Sequence, residues 1–206
     1  LAATAAAALR QPEAPRPPGA LQGDVWAPLR EPGFRLVLAV AALIQGSHAA
    51  YYAFSTLHWQ GSGLSPGFVG LAWGLGVAAE VLLFLRGQRL ADRLGVRGLA
   101  SLAAGAGLLR WAVTALTVAP VPLLLVNLLH GVTFGAMHLA AMRALFALPA
   151  AVAGRAQVLL SVSIGATTGV LMWASGPLFA ATGGGVFLAM AALCGVAFML
   201  ALRFPR

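Results

Sequence analysis

Apolar residues run almost unbroken through six stretches of this chain, roughly 35–59, 66–86, 98–118, 122–146, 157–181 and 185–202. Polar positions gather in the gaps between them. Each stretch holds about 18 to 25 residues, and a helix of that length rises far enough to cross a hydrocarbon core of roughly 30 Å. The pattern predicts an all-α membrane protein with six transmembrane helices over 34–206. Ahead of it, residues 10–33 hold Pro12, Pro15, Pro17, Pro18, Pro28 and Pro32. That density forbids a long helix and predicts a hydrophilic, cytoplasmic linker. Residues 1–9 (LAATAAAAL) read as the tail of a preceding apolar helix.

Composition narrows the class. The chain is 60% hydrophobic and 9% charged, with a mean hydropathy of +0.89, whereas a soluble domain carries about 25% charged residues. A net charge of +8 invites a nucleic-acid partner. Against that, the basic residues are all arginine and are scattered over short loops rather than clustered on one face. Cys194, the single cysteine, lies in an apolar run and can form neither an intrachain disulfide nor a thiolate metal cluster. No metal, cofactor or catalytic set is expected.

Arginine falls on alternate loops. The linker carries Arg10, Arg16, Arg30 and Arg35, the 86–97 segment carries four arginines, Arg143 and Arg155 flank the 147–156 loop, and Arg203 and Arg206 close the chain. The intervening loops, Gln60–Ser65, Ala119–Val121 and Thr182–Gly184, carry no charge. The positive-inside rule makes the arginine-bearing loops and both termini cytoplasmic, with the chain in a bacterial inner membrane. A short echo between Leu43-Ile44-Gln45-Gly46 and Leu128-Leu129-His130-Gly131 sits in helices of opposite direction, as an inverted three-plus-three repeat requires.

Two charges break the apolar runs. Glu80 stands alone in the second and Arg110 in the third. An ionisable group at bilayer depth is costly and faces protein or a wet cavity. Helix rise puts Glu80 roughly 9 Å and Arg110 roughly 18 Å from the cytoplasmic end, within reach of an intramembrane pair. In the fourth run Asn127, His130, Phe134 and His138 share one face, with His138 near the level of Glu80; histidine can relay protons. In the first, Gln45, His48, Tyr52, Ser55 and Trp59 form one broad face, while an interfacial aromatic belt suits Trp59 and His58. Polar faces on several helices point to a central wet path and to transport. Glycines within the spans, among them Gly70, Gly76 and Gly107, suit close helix packing.

The 87–97 segment resembles the short cytoplasmic loop motif of the major facilitator superfamily, with Asp92, Arg93, Gly95 and Arg97 on its Asp-Arg-x-Gly-x-Arg core. Gln88 departs from the motif's leading glycine. The run Gln45–Ser55, together with Trp59, Leu75–Glu80, Arg110-Trp111 and His138–Arg143, resembles the 3-phenylpropionate-type permeases of that superfamily. This resemblance implies helices 7–12 of a twelve-helix proton symporter, lacking its N-terminal six-helix half. It implies a small aromatic organic acid as substrate, a nucleoside or sugar being the alternative. Glu80 and His138 would couple protons, and Arg110, His48, Tyr52, Gln45, Asn127 and His130 would bind substrate. Asp92, Arg93, Gly95 and Arg97 would form a gating loop. A non-transporting scaffold is a remoter reading. So is an intramembrane protease, with Ala174-Ser175-Gly176 as its serine motif.

Overall fold

The computed structural model describes residues 24–205, and all regular structure among them is helical. The expectations for residues 1–9, and for the linker up to residue 23, lie outside the described residues. A short 3-10 turn, Ala27–Arg30, leads into α1 (Pro32–Gly46) and α2 (Ala49–Gly61). Then come α3 (Pro66–Arg86), α4 (Gln88–Leu116) and α5 (Pro120–Leu128). A π turn, Gly131–Ala136, joins α5 to α6 (Met137–Phe146); α7 (Ala150–Thr182) and α8 (Val186–Ala201) follow.

Helix starts follow from local chemistry. Proline opens α1, α3 and α5, where its missing N–H would have had no partner. Ser65 caps α3 by accepting a hydrogen bond from the Phe68 N–H at 3.2 Å. Among the described residues, five stretches are long and apolar enough to cross a membrane: Gly33–Gly61, Pro66–Arg86, Gln88–Leu116, Pro120–Phe146 and Ala150–Ala201. The last is 52 residues long. Gly183, at φ +55°, ends α7, and a three-residue turn starts α8. The two helices then lie side by side, with Leu171 and Leu178 of α7 and Ala189 and Leu193 of α8 around one small cavity.

The 86–97 segment is more ordered than a loop. α4 begins at Gln88, and only Gly95, at φ 60° and ψ −169°, departs from helical geometry. Those angles suit glycine alone. Asp92 reaches Arg143, beside the end of α6, at 2.7 Å rather than an arginine of its own segment.

Two apolar clusters fill the bundle. One gathers Phe34, Ile44, Leu99, Met137 and Ala201 toward the arginine-rich end. The other gathers Tyr51, Trp59, Trp111, Leu123 and Phe187 toward the other end. Trp59 is fully buried there and edges against Tyr51, so it is no interfacial belt residue. Between the clusters lies a layer of buried polar side chains, including His48, Arg110, Asn127, His130 and Thr133.

Candidate functional site

The polar layer forms where two helices are interrupted. The first interruption is at Ser47-His48. The Ser47 hydroxyl donates to the Ile44 carbonyl at 2.6 Å, and His48 Nδ1 approaches the same oxygen at 3.1 Å. Side chains thereby take over ladder positions, while the His48 N–H turns to Gln45 O. Trp111 Nε1 donates to Ser47 Oγ at 2.9 Å and Cys194 Sγ lies 3.3 Å from it, tying the break to α4 and α8. A carbonyl only accepts, so the neutral His48 ring carries its proton on Nδ1 and leaves Nε2 as an acceptor. That nitrogen lies 3.3 Å from the Thr133 hydroxyl.

The second interruption runs from Leu129 through the π turn. Its backbone comes close to α3: a β-carbon at Gly131 would stand 2.6 Å from the Ala79 carbonyl carbon. Only glycine permits that approach, and it brings Glu80 against His130. Both members of the sequence echo, at Leu43–Gly46 and Leu128–Gly131, sit at these interruptions.

Glu80 and Arg110 are joined through His130. Arg110 Nη1 donates to His130 Nδ1 at 2.9 Å, and His130 Nε2 lies 3.4 Å from Glu80 Oε2. A guanidinium can only donate, so Nδ1 is the acceptor, and the neutral ring holds its proton on Nε2, facing the carboxylate. Side-chain exposure falls inward: 20% for Glu80, 10% for His130 and, for Arg110 as a whole, 1%. The guanidinium also donates to Thr133 Oγ1 at 3.3 Å and to Asn127 Oδ1 at 3.4 Å. Its carbon lies 4.6 Å from the Tyr51 ring centre and 4.4 Å from that of Trp111, within cation–π range. Tyr51 donates to Asn127 Oδ1 at 2.9 Å, while Asn127 Nδ2 donates to the Leu123 carbonyl, which fixes the amide orientation.

The structure gathers most of the expected residues and separates others. His48, Arg110, Asn127 and His130 share the buried layer. Gln45 joins its edge, Nε2 donating to Phe134 O at 3.3 Å while Oε1 finds no partner among the described residues. Tyr52 is 40% exposed and stacks on both His48 and Trp73. His138 lies apart: it is exposed, and its ring neighbour is Phe84, not Glu80. Arg93 is exposed, and Arg97 lines a separate cavity. Ser175 donates to Leu171 O one turn earlier, as an ordinary helical hydroxyl. Thr133 and Trp111 enter the layer without having been singled out as binding residues, and Tyr51 joins them. Thr133 lies three residues beyond His130, and Tyr51 and Trp111 each adjoin an expected position, which is the signal that could have found them. Among the described residues no group of three or more His, Cys, Asp or Glu is placed to hold a metal ion.

Residues 3–190 match the MFS_1-like family. The chain belongs to this family. An MFS_1-like relative from Escherichia coli (strain K12), the "Probable 3-phenylpropionic acid transporter", is 38% identical over 169 residues. The match takes in 82% of this chain and 44% of the relative, so the chain spans less than half of that protein's length. No solved structure matches it. That relative is named as a transporter.

Proposed function

We propose that this chain is the C-terminal six-helix half of a twelve-helix secondary transporter that moves a small aromatic carboxylate together with a proton. Its two three-helix units are then related by an inverted repeat, and its termini and arginine-bearing loops face the cytoplasm of a bacterium. The observation that carries the proposal is the Glu80–His130–Arg110 chain, with its carboxylate outermost and its cation sealed within. The name of the 38% identical relative supports the substrate class.

The chemistry follows from one shared donor. While Glu80 is ionised, its carboxylate takes the His130 Nε2–H. Once Glu80 is protonated, that donor is free for the carboxylate of a substrate. Binding and proton uptake thus favour each other, as symport requires. Arg110 donates to Nδ1, polarises the ring and keeps Nε2–H directed outward. Tyr52, stacked on Trp73, offers an aromatic wall for the substrate ring, and behind it Gln45 and His48 bond to Phe134 and Thr133. Asp92, with Arg143, ties the 86–97 segment to the end of α6 as part of a gate with Arg93, Gly95 and Arg97. His138, exposed beside Phe84, then stands outside this shared-donor step.

The test uses the full-length protein in proteoliposomes with labelled 3-phenylpropionate. Glu80→Gln should keep substrate exchange and lose accumulation driven by a pH gradient. Wild-type accumulation by that variant would end the proton role of Glu80. Stronger displacement by a nucleoside or a sugar than by unlabelled 3-phenylpropionate would overturn the substrate class.

A further inference from the structure

A second cavity lies well away from the polar layer. It measures about 730 Å³ and sits at the arginine-rich end of the bundle, between the start of α1, residues 94–101 of α4, the segment just beyond α6 and the C-terminal residues 204 and 205. That volume would hold a drug-sized molecule. Its walls are apolar, with Phe34, Leu148 and Phe204 prominent, and its charged lining is one acid, Glu31, and one base, Arg97. The two do not pair with each other: no ion pair within 4.0 Å joins them among the described residues.

Each feature restricts the occupant. Apolar walls of this extent favour a hydrocarbon chain over water. A lone guanidinium favours a phosphate or carboxylate, which it can grip with two N–H groups. A lone carboxylate on the same cavity repels a purely anionic head and favours a cation beside the anion. All of this lies at the membrane end where arginines collect, the depth of lipid headgroups.

We propose that this cavity is a binding site for a zwitterionic amphiphile of phosphoethanolamine head chemistry. Its phosphate is held by Arg97, its ammonium faces Glu31, and its acyl chain lies among Phe34, Leu148 and Phe204. Bound there, it bridges α1, α4 and the end of α6 without touching Glu80, His130 or Arg110. The site is independent of the transport reading.

The protein in dodecyl maltoside is titrated with lysophosphatidylethanolamine and with lysophosphatidylglycerol, which keeps the phosphate and lacks the ammonium. Native mass spectrometry counts the bound copies. One saturable copy of the ethanolamine lipid is expected, with the glycerol lipid at least tenfold weaker. Glu31→Gln should bring the two lipids within about threefold of each other, and Arg97→Gln should weaken both at least tenfold. Ala144→Phe, which intrudes on the chamber, should weaken both while the elution volume stays that of the wild type. Equal binding of the two lipids to the wild-type protein, or unaltered binding to both charge variants, would overturn the proposal. So would uptake of many copies without saturation.

Discussion

Arg110 and His130 meet through a 2.9 Å hydrogen bond whose direction is settled by chemistry, because a guanidinium has only protons to give. The bond fixes which imidazole nitrogen is free to face Glu80. A cation with 1% of its surface exposed is thereby kept, among the described residues, without a carboxylate in direct contact, held by an imidazole, a hydroxyl, an amide and two aromatic rings.

Replacing Arg110 with lysine should be nearly as damaging as replacing it with glutamine. Lysine keeps the charge and loses the planar fork that reaches His130, Thr133 and Asn127 together. Removing one member of such a buried network costs about 3–5 kcal/mol. Thermal unfolding of Arg110→Lys in detergent should fall well below that of the wild type, and a variant melting within a degree of it would refute the network.

His130→Phe keeps a planar ring of similar size and removes both nitrogens. Arg110 then loses an acceptor, at a cost of about 1–3 kcal/mol for an unsatisfied buried donor. Substrate exchange should fall along with stability, whereas Glu80→Gln should spare exchange. Equal exchange in the two variants, measured side by side, would contradict the shared-donor mechanism.

Gly131→Val should push α3 away from the π turn, because even a β-carbon there would stand 2.6 Å from the Ala79 carbonyl carbon. Overpacking of this kind costs about 1–3 kcal/mol. A cysteine pair placed at 76 and 130, where a β-carbon at 76 would stand 3.2 Å from that of His130, should cross-link readily in the parent protein and poorly in the Gly131→Val background.

Gly95→Ala should cost about 1–3 kcal/mol, since φ 60° with ψ −169° is a conformation that residues with a β-carbon avoid. Asp92→Asn, which breaks only a half-exposed ion pair with Arg143, should cost less than about 1 kcal/mol. Melting temperatures of the two variants should therefore fall in that order.

The helical membrane fold was legible because lipid leaves few ways to satisfy a backbone, and apolar runs of about 20 residues declare themselves. Glu80 and Arg110 were legible for the same reason, as charges out of place. The mediation by His130 was not legible. It depends on the π turn, which shifts the residues after His130 off the regular 100° step, so a helical wheel groups His138 with His130 although the structure parts them. The helical course of 88–94 was hidden by its charge; Gln, Arg, Leu and Ala form helices well, and Gly95 alone marks the break. The burial of Trp59 was equally hidden, because aromatic residues near a span end look alike whether they face lipid headgroups or protein.

Tyr51 and Trp111 close over the guanidinium like insulation around a conductor. Chloride, the commonest small anion, has to keep most of its hydration shell, and the rings leave it no berth on Arg110. What the outer surface offers instead is a weak, directional N–H on an uncharged ring, which favours a flat, two-oxygen anion over a spherical halide of the same charge by shape alone.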